Sequence, residues 1–158
     1  MTDPSAGWLD AEEMRAWLGL VKLSARVVSL TDGELRRTHG ITGRDYELLH
    51  HLAEATGGCR VSQLAQAIDD TSSCITHRVN RLSTAGFVGK QPDPEDQRAR
   101  LVTLTRRGRA LVARAAPGHA EQVHRLFITP LNRRDLAHLA RISHVLNDHL
   151  RVVAPPDS

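Results

Sequence analysis

Apolar residues recur at helical spacing along most of this chain, and breaks in that spacing mark the ends of its elements. Asp10 followed by Glu13 forms a capping pair, and the apolar stripe behind it predicts a long first helix that runs to about Thr38. Gly40 ends this helix, and Thr42 opens a second one that a pair of glycines terminates. The amino-terminal third is therefore predicted to be helical.

The next segment is predicted to form a helix-turn-helix. A short strand is expected at 60–61 and a compact helix over 62–68, followed by a tight turn over 69–72. A further helix is expected over 73–85, where Gly86 ends it. Two helices joined by so short a turn are typical of DNA-binding modules.

A β-hairpin is predicted after the second of these helices. The β-prone runs 87–91 and 100–104 flank a stretch of turn-forming residues over 92–96. Thr105 can cap the helix that follows, which is predicted to run to about Ala116. A hairpin in this place makes the motif a winged helix-turn-helix.

The carboxy-terminal part is predicted to be helical with two breaks. Pro117 and Gly118 are expected to interrupt or kink the helix, and Pro130 marks a second break. The last helix is predicted over 132–150, where leucine and isoleucine form one stripe. The fold class is therefore mainly α with a small β-hairpin wing.

Positive charge is concentrated in one segment. Residues 72–109 carry eight lysines and arginines against three acids, whereas the whole chain has a net charge of only +3. A surface that binds phosphate needs such a concentration of charge. No apolar run is long enough to span a bilayer, the cysteines lack CxxC spacing and no signal segment is recognisable. We therefore expect a cytoplasmic protein with no membrane partner.

The helix over 73–85 has the residues that a recognition helix needs. Small polar residues at its start allow a close approach to base edges, and longer donors further along reach bases or phosphates. His77 and Arg81 lie four residues apart and share one face. Arg78 lies between that face and the apolar one, so it either reaches the DNA backbone or pairs with an acid. The candidate DNA contacts on this helix are Ser72, Ser73, Thr76, His77, Arg78 and Arg81.

The hairpin tip contributes a separate candidate contact. Arg98 is expected to enter the minor groove, where the potential is most negative, and Asp96 is expected to orient it. The alternative interpretation is that 93–100 is only a solvated turn with local ion pairs. The preceding helix-turn-helix favours the DNA contact.

These residues resemble the MarR-type transcriptional regulators over nearly the whole chain. The resemblance rests on residues 62–65, 73–82 and 86–88, and above all on Asp96-x-Arg98 with Leu104-Thr105-x-x-Gly108. It implies a dimer whose first and last helices interlock, and a recognition helix in each major groove of a pseudo-palindromic operator. It also implies repression that a small molecule or an oxidant relieves. By matching positions, the resemblance implies major-groove contacts at Ser72, Ser73, Thr76, His77 and Arg81, with Arg98 in the minor groove and Asp96 as its partner.

The first and last helices each present an apolar stripe, which can be covered within one subunit or between two. A homodimer is favoured, because two half-sites one helical turn apart require two recognition helices in a fixed relation. An intramolecular bundle is the alternative. We expect one domain over 1–158, with dimerisation helices over about 9–38 and 118–150 and a winged helix-turn-helix region over about 42–116.

Four residues on the first two helices are candidate ligand contacts, because in the family these helices flank a crevice between the dimerising and DNA-binding parts. The candidates are Trp17, His39, Tyr46 and His50. The alternative is that the two aromatic residues pack in the core and the histidines lie on the surface.

Other functional classes find less support in the sequence. Two histidine pairs have a spacing of five, which does not form the i,i+4 chelate of a helical metal site. No metal and no cofactor are therefore expected, but ligands that converge only in three dimensions leave a metal-responsive regulator of the same fold as an alternative. Cys74 leaves a redox-responsive regulator open, although a buried inert thiol is commoner. No catalytic motif is present, so an enzyme is not expected. A winged helix that docks on a protein would need aromatic anchors on its helix, and this one has none.

Overall fold

The computed structural model describes residues 8–96 and 99–153. Its elements follow the predicted order and confirm a mainly helical chain with one antiparallel hairpin. They are α1 (Ala11–His39), α2 (Gly43–Glu54), α3 (Val61–Ala67), α4 (Ser72–Thr84), β1 (Val88–Pro92), β2 (Arg100–Leu104), α5 (Arg106–Val123), a π-helical turn (His124–Ile128) and α6 (Arg133–Val153).

The predicted ends of α1 are confirmed. The Asp10 carboxylate accepts hydrogen bonds from the N–H groups of Glu12 and Glu13, and the Glu13 carboxylate accepts one from the Asp10 N–H. At the other end, Gly40 adopts a φ of 71° and its N–H donates to the carbonyl of Arg36. At 29 residues, α1 is about 43 Å long and extends well beyond the core.

The core lies between α2, α3, α4, the hairpin and the first half of α5. The hairpin covers one side of it, with strand pairing that runs from Val88 opposite Leu104 to Pro92 opposite Arg100. Each apolar side chain removed from water here stabilises the fold by about 1.5–3 kcal/mol. The completely buried side chains include Leu48, Leu49, Leu64, Ile75 and Val79.

The short strand predicted at 60–61 lies elsewhere. Cys59 forms an isolated bridge with Val102, and Val61 already begins α3. The reason is a helix cap, since the Arg60 N–H donates to the Gln63 side chain at 2.8 Å. The cap at Arg60 draws the chain into the helix two residues after the bridge.

The predicted interruption at Pro117 is wrong. α5 continues through Pro117 to Val123 and passes into the π-helical turn, and the break comes only near Pro130. Pro117 has no N–H to donate to the carbonyl of Ala113, so one backbone hydrogen bond of the helix is missing. Ala113 is exposed to water. On the opposite face, buried Leu111 and Ala115 hold the helix against the core.

The outer faces of α1 and α6 leave many apolar side chains exposed within one protomer. α1 packs on α5 and α2, and the Gln122 side chain donates to the Leu30 carbonyl at 3.0 Å. No residue of α6 is buried, and its apolar stripe includes Ile142, Leu146 and Leu150 at 41–52% exposure. The intramolecular bundle of α1 and α6, the alternative from the sequence, is therefore not formed. Among the helices of residues 8–96 and 99–153, none is long and apolar enough to cross a membrane.

Candidate nucleic-acid interface

α4 presents one polar face to solvent and one apolar face to the core. Its N-cap, Thr71, accepts a hydrogen bond from the Cys74 N–H, and its buried side chains are Ile75, Val79 and Leu82. Ser72, at the first position, is half-buried. The exposed residues at helical spacing include Ser73, Thr76, His77, Asn80, Arg81 and Thr84.

Asn80 belongs to this face although it was not among the sequence candidates. Its side-chain oxygen accepts a hydrogen bond from Lys90 Nζ at 2.7 Å, which ties the exposed face of α4 to β1. An asparagine amide is suited to pairing with adenine. The signal for it was present, since Asn80 lies three and four residues after His77 and Thr76.

The structure places the Arg78 side chain mostly inside the domain, which favours the pairing with acids over the DNA contact. Its side chain is 15% exposed and donates to the Asp70 carboxylate at 3.0 Å, and its Nε lies 4.0 Å from Asp45. Burial raises the pKa of Asp70, but the Thr71 N–H and Arg78 outweigh this and hold the pKa below its usual value. Arg78 therefore pairs with acids, the second of the two roles that its position left open.

The Arg81 side chain is partly exposed at the surface and also pairs with a buried carboxylate. Its guanidinium donates to Asp45, which is completely buried, while the Arg81 side chain remains 49% exposed. Asp45 also accepts from the Thr42 N–H at 2.9 Å and so caps α2. Arg81 therefore links the recognition helix to the first turn of α2, a role that the sequence did not indicate.

The hairpin tip is organised by Asp93. This carboxylate is 4% exposed and accepts from Arg60 Nε at 2.6 Å and from the Glu95 N–H at 2.9 Å. Asp96 is exposed, whereas Arg98 lies outside the described residues, so the orientation of Arg98 by Asp96 stays a prediction. Arg60 and Asp93 were not candidates, because they lie 33 residues apart in the sequence.

The Leu104-Thr105-x-x-Gly108 pattern has a direct structural reason. Thr105 Oγ1 accepts from the Gly108 N–H at 3.0 Å and donates to the Gly86 carbonyl at 2.8 Å. A Cβ on Gly108 would lie 2.1 Å from the carbonyl oxygen of Phe87. The threonine thus caps α5 and holds the end of the recognition motif, and only glycine permits this close approach.

A crevice of about 800 Å³ lies between α1, α2 and α5. Three rings meet in its lining, with the Tyr46 centroid 5.8 Å from the stacked His50 ring and 4.7 Å from the tilted His119 ring. Burial, and then the charge of His50, lower the pKa of His119, whose Nδ1 is buried without a hydrogen-bond partner. The remaining lining residues are Val27, Val28, Thr31, Asp32, Gly43, Arg44, Glu47, Ala116, Ala120 and Val123.

Comparison with known proteins gives the family. Residues 39–99 match the model of the MarR family. The solved structure of AbsC, a MarR family transcriptional regulator from Streptomyces coelicolor, is 30% identical in sequence to this chain. The match covers 91% of this chain and 97% of AbsC, with a TM-score of 0.86. This chain belongs to the MarR family.

Two further solved structures bear on the interface. Sco3205 from Streptomyces coelicolor, a MarR family transcriptional regulator solved in complex with DNA, is 29% identical over 94% of each chain with a TM-score of 0.89. BpsR from Bordetella bronchiseptica, whose DNA binding is regulated by 6-hydroxynicotinic acid, is 25% identical over 90% of this chain and 99% of its own, with a TM-score of 0.77. Both are similar in fold to this MarR-family chain over at least 90% of its length.

The four candidate ligand residues are not brought together in this MarR-family chain. Tyr46 and His50 line the crevice, and His119 joins them as a residue that the sequence candidates did not include. Trp17 is 55% exposed and lies ten residues before Val27 on α1, about 15 Å along the axis. His39 lines a separate cavity of about 70 Å³. Over residues 8–96 and 99–153, no group of three or more metal-ligating side chains is found.

Proposed function

We propose that this regulator binds double-stranded DNA with α4 in the major groove and the hairpin beside it. The observation that carries the proposal is the exposed face of α4, on which small hydroxyl groups precede His77 and Asn80 while the opposite face packs in the core. The solved complex of Sco3205 with DNA supports it. Ser72, Ser73, Thr76, His77 and Arg81 remain the proposed contacts on this helix.

The active form is proposed to be a homodimer joined by α1 and α6. Their apolar side chains are exposed within one protomer, and a second copy of the same helices is complementary to them. Two such subunits present two α4 helices in a fixed relation, as a pseudo-palindromic operator requires. We propose that it acts in the cytoplasm, as a regulator rather than an enzyme.

The crevice is the proposed site of a small-molecule effector. It adjoins the first turn of α2, where the Gly43 N–H donates to Asp32 at 2.6 Å and Asp45 receives Arg81. A ligand that shifts this turn would thereby reach α4, and BpsR offers a precedent for effector control. We propose repression that the effector relieves. A redox response is the second candidate, because the Cys74 thiol is exposed on α4.

The proposed function is tested by fluorescence anisotropy of the purified protein on the DNA upstream of its own gene and on a scrambled duplex, at two salt concentrations. We expect tight, salt-sensitive binding that is selective for the first duplex. Equal weak binding to both would place the operator elsewhere, and no binding at low salt would favour a protein partner.

His77→Ala tests the assignment of α4. We expect it to weaken operator binding by about 1–3 kcal/mol and to reduce the preference over the scrambled duplex, because a contact in the major groove is lost. His51→Ala on α2, which is not among the proposed DNA, ligand or dimer contacts, is the control. An equal loss on both duplexes would contradict base reading by His77.

A further inference from the structure

A buried carboxylate closes the base of the hairpin tip. Both oxygens of Asp93 are occupied, one by the Glu95 N–H at 2.9 Å and the other by Arg60 Nε at 2.6 Å. The Asp93 N–H donates to the Ala99 carbonyl at 3.2 Å. One residue thus joins both sides of the tip to the start of α3.

Arg60 anchors this carboxylate to the body of the domain. Its own N–H caps α3 through Gln63, and the preceding Cys59 is paired with Val102 of β2. The Glu95 N–H and then Arg60 lower the pKa of Asp93, and the hydrogen bond with Asp93 raises the pKa of Arg60. Both groups therefore stay charged across the range in which the protein is expected to work.

The backbone around the tip is fixed at the same point. The Ala99 N–H donates to the Asp96 carbonyl at 2.9 Å, so the chain that enters and leaves positions 97–98 is closed by a hydrogen bond. Positions 97–98 themselves lie outside the described residues. With Asp93 bonded to Ala99, both flanks of these positions are tied to the Arg60–Asp93 pair.

We propose that Arg60 and Asp93 are positioning residues for the wing, whose ion pair sets how much Arg98 contributes to DNA binding. The inference rests on the proposed DNA-binding function and deepens it. A tip that is held in place before binding loses less conformational freedom when it meets DNA, so more of its contact energy appears as affinity. Asp93 then complements Asp96, the acid two residues before Arg98 in the sequence.

Asp93→Asn gives the sharpest test, because a purely electrostatic role and a positioning role predict opposite changes in DNA affinity. Removing a negative charge near DNA strengthens binding if the charge alone matters. Loss of the ion pair weakens binding if it positions the wing. We expect Asp93→Asn and Arg60→Gln each to weaken operator binding by about tenfold in anisotropy titrations, within the range for loss of one DNA-contacting arginine.

A double-mutant cycle shows whether the effect passes through Arg98. We expect Arg98→Ala to weaken binding and Arg60→Gln to add little in the Arg98→Ala background. Arg60→Lys keeps the charge and should retain part of the affinity. Arg114→Gln is the control, because it removes an exposed arginine from α5, outside α4, the hairpin and the proposed dimer helices.

The outcomes separate this inference from the function on which it rests. If the unaltered protein binds no DNA, both fail. If it binds and Asp93→Asn binds equally or more tightly, or Arg60→Gln costs as much with Arg98→Ala as without it, only the positioning role is overturned. Thermal unfolding establishes that each variant is folded, and the arginine variants complete the cycle if Asp93→Asn does not fold.

Discussion

At the scale of single residues, backbone clearance decides which side chain is tolerated. Gly108 and Gly118 both lie in α5, but they meet different surroundings. Gly108 faces the Phe87 carbonyl, whereas a Cβ on Gly118 would meet no atom within 4 Å. The same substitution should therefore change the free energy of unfolding in opposite directions at the two positions.

We expect Gly108→Ala to lower the free energy of unfolding by about 1–3 kcal/mol, because the added Cβ cannot avoid the Phe87 backbone. Gly118→Ala should raise it by up to about 1 kcal/mol through helix propensity. Urea denaturation of both variants measures the difference. Equal effects at the two positions would contradict the proposed steric cause.

His119 gives stability a dependence on pH. Its pKa is lowered in the folded state, mainly by burial, so the unfolded chain binds a proton first as the pH falls. The contribution is therefore present above the unfolded pKa of about 6.5 and is lost as the pH falls below it. We expect His119→Gln to reduce the fall in melting temperature between pH 7.5 and 5.5, and His77→Gln to serve as the control. An unchanged pH dependence would argue against this role.

At the scale of elements, one buried carboxylate connects α2 to α4. Asp45 caps α2 through Thr42 and receives Arg81 from the recognition helix, with Arg78 close by. The proposed DNA-reading helix α4 is thereby coupled to α2, which lines the crevice. An effector bound in the crevice as proposed would therefore be connected to α4 through Asp45.

Asp45→Asn should lower the free energy of unfolding by about 2–4 kcal/mol, because two arginines lose a buried counter-charge. Glu47→Gln, which breaks only an exposed pair with Arg44, should change it by less than about 1 kcal/mol. Urea denaturation of both variants provides the comparison. Similar small losses in the two variants would show that the Asp45 link is not important for stability.

At the scale of the whole molecule, the proposed dimer interface is formed by helices that lie largely outside the core, α1 and α6. α6 has an apolar stripe, yet none of its residues is buried in one protomer. Apolar surface of that extent is usually covered by a partner. The arrangement of two DNA-reading heads therefore depends on an interface that lies apart from the core.

Leu146→Glu should convert a dimer to a monomer, because it places a charge in the apolar stripe of α6. Operator affinity should fall by about tenfold or more, since one half-site is lost. Light scattering and anisotropy measure the two effects. His144→Glu places the same charge on the opposite face of α6 and should leave the mass unchanged. A monomeric unaltered protein would contradict the dimer outright.

Local patterns in the sequence determined the elements of this protein and the face of α4 that meets solvent. The Asp10–Glu13 cap, the glycine stop at Gly40 and the hairpin were all predictable, because each depends on neighbours within a few residues. Family membership was predictable for the same reason, since its motifs are local. Pro117 was misjudged because burial on the far side of α5 outweighs a local break.

Only the tertiary structure decided which charged side chains remain exposed and which pair with acids inside the domain. Arg78, Arg81 and Arg60 are equally cationic in the sequence, yet each pairs with an acid that lies 8, 36 and 33 residues away respectively. The same holds for His119, which reaches Tyr46 from another helix. Periodicity fixes the direction of a side chain about its own helix, but the partner that it meets depends on how distant helices pack.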